Sequence, residues 1–353
     1  MSKFLTEKIQ KLTPYVPGEQ PKERKYIKLN TNESPFPPSK KAIKKASEEA
    51  EKLMLYPDPD CNELTALVAK TCNVNKENVI LSNGSDEVLN FAFMAYCDVK
   101  CKAVFADITY GFYKVFASLN GVAYKEIPLK KDFSLDIEAL SNEDGTLFIA
   151  NPNAPTGLFV PVSVIEEIVA KNPTRIVVVD EAYVDFGGES CIPLTKKYDN
   201  ILVVQTFSKS RSMAGARLGF AVGNKELIAD LMRIKYSTNP YNVNRMTAAA
   251  GVGALEDAEY FEDNCKKIIA NREYTHKELE KLGFAHTNSM TNFVFVKSDK
   301  ISGGELYKKL KENGILVRHF DKEEIKEYNR ITVGSEQEMQ ALIDAVKNIL
   351  ENK

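Results

Sequence analysis

Six short apolar runs constrain this chain most: VIL at 79–81, AVFA at 103–106, TLFIA at 146–150, IVVV at 176–179, ILVV at 201–204 and LGFAV at 218–222. Each has strand length and, Thr146 apart, carries no polar side chain. Helix-like segments lie between several of them, SDEVLNFAFMAY, GFYKVFASLN and a stretch near 161–171 among them. A strand that is apolar on both sides must be covered on both faces. The pattern therefore predicts an α/β fold, a mostly parallel sheet with helices on each face.

In such a sheet the loops leaving the carboxyl ends of the strands converge on one edge, where ligands bind. Five of these ends carry polar clusters. After VIL, in SNGSDE, Gly84 permits a turn, and Ser85 and Asp86 either cap a helix or open an anion site at its free N–H groups. After AVFA, Tyr110 either stacks on a flat ligand or packs in the core. After TLFIA, the loop NPNAPTG is fixed by two prolines and a glycine and supplies Asn151, Asn153 and Thr156, either as a plain rigid turn or as polar groups of a site. After IVVV comes DEAYVDF. A carboxylate ending an apolar strand is costly without a cationic partner. Asp180 is therefore either a helix cap or the partner of a protonated ring nitrogen, with Tyr183 in reach of the same ring's hydroxyl. After ILVV, Thr206, Ser208 and Lys209 enter a loop of small residues, and Arg217 follows. A guanidinium there suits a phosphate. The lysine either faces solvent, as most do, or is a desolvated amine that forms a Schiff base with a carbonyl cofactor.

Taken singly, each cluster has an ordinary explanation. Taken in order, at the ends of successive strands, they describe one pocket: an anion site, an aromatic plate, a buried acid and a reactive amine. That set fits pyridoxal 5'-phosphate (PLP), whose ring the acid keeps protonated as an electron sink.

Composition narrows the alternatives. A net charge of -2 offers no general attraction to nucleic acid or to an anionic membrane. No apolar run approaches the roughly 18 residues of a spanning helix, and MSKFLTEKIQKLTPYV has no continuous apolar core of a signal peptide. The six cysteines form no CxxC pair and make no zinc spacing with the three histidines, so they read as reduced thiols of a cytoplasmic protein, with no metal site. No GxGxxG follows the first strand, which disfavours a nicotinamide dehydrogenase. No basic helical extension suggests a DNA-binding regulator. Three segments are expected: a polar, proline-rich arm at 1–35, extended rather than core; a large cofactor-binding domain at 36–255; and a smaller α+β domain at 256–353 with short strands at NFVFV, ILVR and RITV.

LNTNESPFPP, YPDP, NGSDE, NPNAPTG, DEAYVDF, TFSKS, AGARLG and RITVGS, spread over nearly the whole chain, resemble the fold-type I, aspartate-aminotransferase-like PLP enzymes. Together with the arm motif PYVPGEQP, they look like the histidinol-phosphate aminotransferase branch of that family. The resemblance implies roles. Lys209 carries the cofactor and shuttles the proton, Asp180 pairs with the ring nitrogen, and Tyr183 meets the ring hydroxyl. Tyr110 stacks on the ring. Ser85, Asp86, Ser208 and Arg217 hold the cofactor phosphate with backbone N–H groups helping, and Gly84 and Thr206 belong to the cofactor-binding set. Tyr56 reaches the phosphate in the other subunit of a homodimer. Arg330 binds a substrate carboxylate, Arg318 with Tyr15 the substrate phosphate, and Asn32 belongs to the substrate set. The family pattern has asparagine immediately before Pro-Thr-Gly. Here that position is Ala154, and Asn153 is expected to take over the ring-hydroxyl contact.

The implied reaction is a ping-pong transfer between L-histidinol phosphate and 2-oxoglutarate, giving imidazole acetol phosphate and glutamate, in histidine biosynthesis. An aminotransferase for phenylalanine or tyrosine and a PLP-dependent decarboxylase of a phosphorylated amino acid share the same motifs. A PLP-binding module without activity is disfavoured.

Overall fold

The computed structural model describes residues 2–352; Met1 of the expected arm and Lys353 of the expected C-terminal segment lie outside them. A seven-stranded sheet forms the larger part, in the spatial order 79–82, 219–223, 201–206, 177–180, 146–150, 103–106, 124–127. All neighbouring pairs are parallel except those of Gly219–Gly223, which runs antiparallel to both Val79–Ser82 and Ile201–Thr206. The exception has a local cause. Residues 207–218 hold only a single 3-10 turn, too little for a parallel crossover, so the chain returns beside the strand it left.

Side chains alternate between the two faces of this sheet. Val177, Val179, Ile201 and Val203 pack with Ile165, Ile168 and Val169 of the helix Val162–Lys171. Val178, Leu202 and Val204 pack on the other face with Val88, Phe91 and Phe93 of the helix Ser85–Tyr96. Both faces are dry, which explains why the runs are apolar without a break.

A four-stranded antiparallel sheet, in the order 318–319, 329–332, 293–298, 284–286, is covered by the helices Ala258–Lys281, Gly303–Glu312 and Glu336–Glu351. The run ILVR divides. Ile315–Leu316 pairs in parallel with Ile27–Lys28, and Arg318–His319 turns to pair with Asn329–Arg330. This corrects the expectation of an arm held outside the core. Leu29 is 1% exposed and its backbone bonds to Leu316 and Thr332. The polar and proline-rich composition hid one short pair of inward residues, Ile27 and Leu29. Glu7–Gln10 is a single helical turn, so the arm is not wholly extended either.

Candidate active site

The carboxyl ends of Val79–Ser82, Ala103–Ala106, Thr146–Ala150, Val177–Asp180 and Ile201–Thr206 meet at one cleft. Ser85, Asp86, Tyr110, Asp180, Tyr183, Thr206, Ser208, Lys209 and Arg217, all expected from the sequence, line it.

Lys209 owes its place to its neighbours. Phe207 and Met213 are buried, and the Met213 N–H bonds to the Phe207 carbonyl at 3.0 Å, which closes the loop around the lysine. Thr206 Oγ1 accepts the Ser208 N–H at 3.1 Å and donates to Ser208 Oγ at 3.0 Å. The amine itself makes one long contact, 3.5 Å to the Thr31 carbonyl, and lies 5.8 Å from the centre of the Tyr183 ring.

Asp180 ends its strand in register between Ala150 and Val204, 5% exposed. Burial pushes its carboxyl up to about 6, against the pull of a hydrogen bond from Tyr113. Oδ2 accepts from Tyr113 Oη at 2.9 Å and Oδ1 from the Ala182 N–H at 3.2 Å. Among the described residues no cation forms an ion pair with it. A group bearing a protonated nitrogen would supply the missing charge.

The opposite end of the cleft is built for an anion. Gly84 turns the chain at φ 76° into the helix Ser85–Tyr96, whose first N–H groups have no side-chain cap. An added Cβ on Gly84 would lie 2.5 Å from Arg217 Nη2, and one on Gly219 would lie 2.4 Å from the Ser85 backbone nitrogen. Both glycines therefore let Arg217 and the helix end approach one another. Arg217 Nη2 bonds Asp86 Oδ2 at 2.9 Å, and Tyr110 Oη bonds Asp86 Oδ1 at 2.7 Å. Burial and the adjacent Asp86 hold the Tyr110 hydroxyl well above the ordinary phenol range. Cradle, aromatic wall, acid and amine together match the donor set that a pyridine-ring phosphate ester requires.

Two expectations need correction. Asn153 does not face the cleft. Its Nδ2 donates to the Ile108 carbonyl and to Thr156 Oγ1, each at 2.9 Å, and its Oδ1 accepts from Thr109 at 2.7 Å. The neighbouring Ala154 lines the cleft instead, because adjacent residues of a tight loop point apart. Asn32, expected in the substrate set, does not line the cleft either. It is 1% exposed, with Oδ1 bonded to Thr332 and Nδ2 to Tyr183.

The remaining substrate candidates, Arg330, Arg318 and Tyr15, are not among the residues lining the cleft. Arg330 donates to the Asn30 carbonyl at 3.1 Å, and its guanidinium lies 5.3 Å from the centre of the Phe293 ring. Burial pulls its pKa down, and its Nε is buried without a partner. Arg318 lies over Phe320 at 5.8 Å. Tyr15 stacks on Phe112 at 4.4 Å, and Phe112 leans on Tyr110 at 5.8 Å. Tyr56 is outside the cleft of its own chain, 78% exposed and stacked on Tyr241 at 4.7 Å.

Sequence reasoning missed Tyr113, Thr31 and Glu33. Tyr113 lies three residues after Tyr110, in the first turn of the helix Phe112–Asn120, and that spacing was the signal in the sequence. Thr31 and Glu33 come from the stretch read as arm, and nothing local marked them.

Fold and cleft together define a PLP-dependent enzyme of fold type I. The chain belongs to the aminotransferase class I and II family, which it matches over residues 24–346. It is 49% identical to the histidinol-phosphate aminotransferase of Brachyspira hyodysenteriae, with 100% of each chain covered. It is 46% identical to that of Clostridium beijerinckii, over 100% of this chain and 99% of the relative. The solved structure of histidinol-phosphate aminotransferase from Sinorhizobium meliloti in complex with pyridoxal-5'-phosphate matches with a TM-score of 0.90, covering 100% of this chain and 99% of that one at 23% identity, a likeness of fold. Among the described residues no helix is long and apolar enough to cross a membrane.

Proposed function

We propose that this enzyme moves an amino group between L-histidinol phosphate and 2-oxoglutarate, with PLP as cofactor, in the synthesis of histidine. The observation that carries the reading is the convergence of Lys209 and Asp180 in one cleft with a helix-end anion site, in a chain 49% identical over its whole length to an enzyme of that name. PLP supplies a carbonyl for amine exchange and a ring that takes up an electron pair. Ser85, Ser208, Arg217 and the N–H groups opening the helix Ser85–Tyr96 would hold its phosphate, Tyr110 its ring face, Tyr183 its ring hydroxyl and Asp180 its ring nitrogen.

The protein's own work follows from these positions. Lys209 Nζ, the amine that lines the cleft, would be the group that holds the cofactor's carbonyl carbon and yields it to an amino donor. As a free amine at Nζ, Lys209 would take the proton from the carbon bearing the donor's nitrogen and give a proton back. Asp180, short of a cation, would stabilise positive charge on the ring nitrogen of a bound cofactor. Arg330 meets the carboxylate of the acceptor. Arg318 with Tyr15 meets the phosphate of the donor.

The reading includes a homodimer with shared sites. Leu53, Met54, Leu55 and Tyr56 form a consecutive exposed apolar stretch, 59–80% exposed, which an isolated chain leaves in water. Tyr56 from this stretch would reach the partner's cofactor phosphate. Six free cysteines suit a reducing compartment, the cytoplasm. Separate apolar cores under the two sheets support the division into a large domain and a smaller C-terminal one.

A half-reaction tests the substrate. PLP-loaded enzyme mixed with L-histidinol phosphate should convert rapidly to the pyridoxamine form at low concentration, followed by absorbance, with a much weaker response to phenylalanine. A preference for phenylalanine would move the substrate to the aromatic amino acids and leave Arg318 without its assigned role.

A further inference from the structure

We propose that Asn32 is a positioning residue that aims the hydroxyl proton of Tyr183 into the cleft, an inference that rests on the cofactor reading above. Asn32 stands in the left-handed region at φ 56°, and its surroundings permit one orientation of its amide. Thr332 Oγ1 accepts the Asn32 backbone N–H at 2.9 Å, so its single proton is available for Asn32 Oδ1, 3.0 Å away. Asn292 Nδ2 donates to the Asn32 carbonyl at 3.0 Å and anchors the backbone. With Oδ1 turned to Thr332, Nδ2 must face Tyr183, and it donates to Tyr183 Oη at 2.9 Å.

A phenol that accepts one hydrogen bond still has its own proton to donate. Among the described residues no protein acceptor takes it. Of the residues that line the cleft, Ala182 beside Tyr183 and Ala154 of the loop 151–157 carry no polar side-chain atom, and the Asn153 amide is turned away to Ile108, Thr109 and Thr156. The Tyr183 proton is therefore free for a ligand oxygen, and neither Ala154, Ala182 nor Asn153 offers a side-chain donor in its place. A donor to an anionic oxygen stabilises the anion and lowers the proton affinity of the group it belongs to. Asn32 thereby sets the pH at which the bound cofactor changes protonation, without touching cofactor or substrate.

The test is a pH titration of cofactor absorbance in four holoproteins: wild type, Asn32→Asp, Tyr183→Phe and the double variant. Asn32→Asp keeps the shape and the Thr332 bond but replaces the donor with an acceptor, which draws the Tyr183 proton out of the cleft. The expected result is a rise of the midpoint by about one pH unit in each single variant, with no further rise in the double. An unmoved midpoint in Asn32→Asp beside a shifted one in Tyr183→Phe overturns the proposal and leaves the cofactor reading standing. An equal Asn32→Asp shift in the Tyr183→Phe background also overturns it, since added charge or altered folding would be the cause. Asn32→Ala removes the donor without adding charge and is read the same way should the aspartate variant not fold. Failure of the wild type to take up PLP overturns both readings together.

Discussion

Tyr113 Oη lies 2.9 Å from Asp180 Oδ2, a contact between two buried groups beneath the cleft. Burial, Asp180 and its hydrogen bond hold the tyrosine far above the ordinary phenol range, so it remains a donor throughout the working pH range. Of the influences on Asp180, this bond draws its carboxyl down most strongly against burial. Tyr113→Phe should raise the carboxyl further above its value of about 6. PLP retention should then fall about twofold at pH 7 and about fivefold at pH 6, the deficit shrinking as pH rises, because the lost hydrogen bond to a charged group is worth about one pKa unit and lowers the ionised fraction of Asp180 accordingly. Equilibrium PLP titration of the apoenzyme between pH 6 and 8.5 checks this; retention equal to wild type at every pH would contradict it.

Two adjacent buried acids make the apoenzyme pH-sensitive. Burial raises Asp180 to about 6 and Glu181 to about 7, the latter despite hydrogen bonds from the Cys191 N–H, Ser190 and Gln205. Both folded values exceed the unfolded ones, so the folded chain holds more protons between about pH 4 and 7. The contribution of these groups to stability is fully present below pH 4 and is lost as pH rises through that window. Asp180→Asn should therefore stabilise the apoprotein at pH 8, by on the order of 2–3 kcal/mol, and change it little near pH 4. Urea unfolding of both apoproteins at the two pH values measures the difference. The same variant should retain PLP poorly.

Gly219 tests the anion cradle from its far side. A Cβ there would lie 2.4 Å from the Ser85 nitrogen and 2.6 Å from the Gly84 carbonyl carbon, both backbone atoms that cannot swing aside. Gly219→Ala should displace the helix end, cost about 1–3 kcal/mol of stability and weaken PLP binding about tenfold or more. Unchanged binding would mean the helix end does not hold the phosphate.

Arg330 holds a cation at a site that only partly satisfies it, with Nε buried and unpartnered. Removing such a charge often leaves stability unchanged or higher. Arg330→Met should therefore unfold at the same or a higher denaturant concentration while KM for the oxo-acid acceptor rises about tenfold or more. PLP absorbance should be unaltered. A KM within twofold of wild type would remove Arg330 from substrate binding.

The asparagine shift in NPNAPTG separates structure from chemistry. Asn153→Ala removes bonds to Ile108, Thr109 and Thr156, and should cost about 1–3 kcal/mol while leaving the cofactor's absorbance midpoint in place. Ala154→Asn adds a donor to the cleft wall and should lower that midpoint. The opposite pairing of effects would return the ring contact to Asn153.

Much of this architecture was legible in the chain. The unbroken apolar runs report burial on both faces, because a strand side chain must point to one face or the other and here neither meets water. The loop clusters were legible because each run ends at the same edge of the sheet. Lys209, Asp180, Tyr183, Ser85 and Arg217 thus reach one cleft from positions up to 132 residues apart, as between Ser85 and Arg217. Tertiary structure alone decided the direction of each side chain within its loop. Asn153 and Ala154 are neighbours in sequence, yet one is tied down by three hydrogen bonds and the other faces the cleft. It also decided that Leu29 and Asn32 belong to the core and to the support of Tyr183, because their partners, Leu316 and Thr332, lie about 300 residues away along the chain. Periodicity determines which face a residue occupies; only packing between distant segments determines what it meets there.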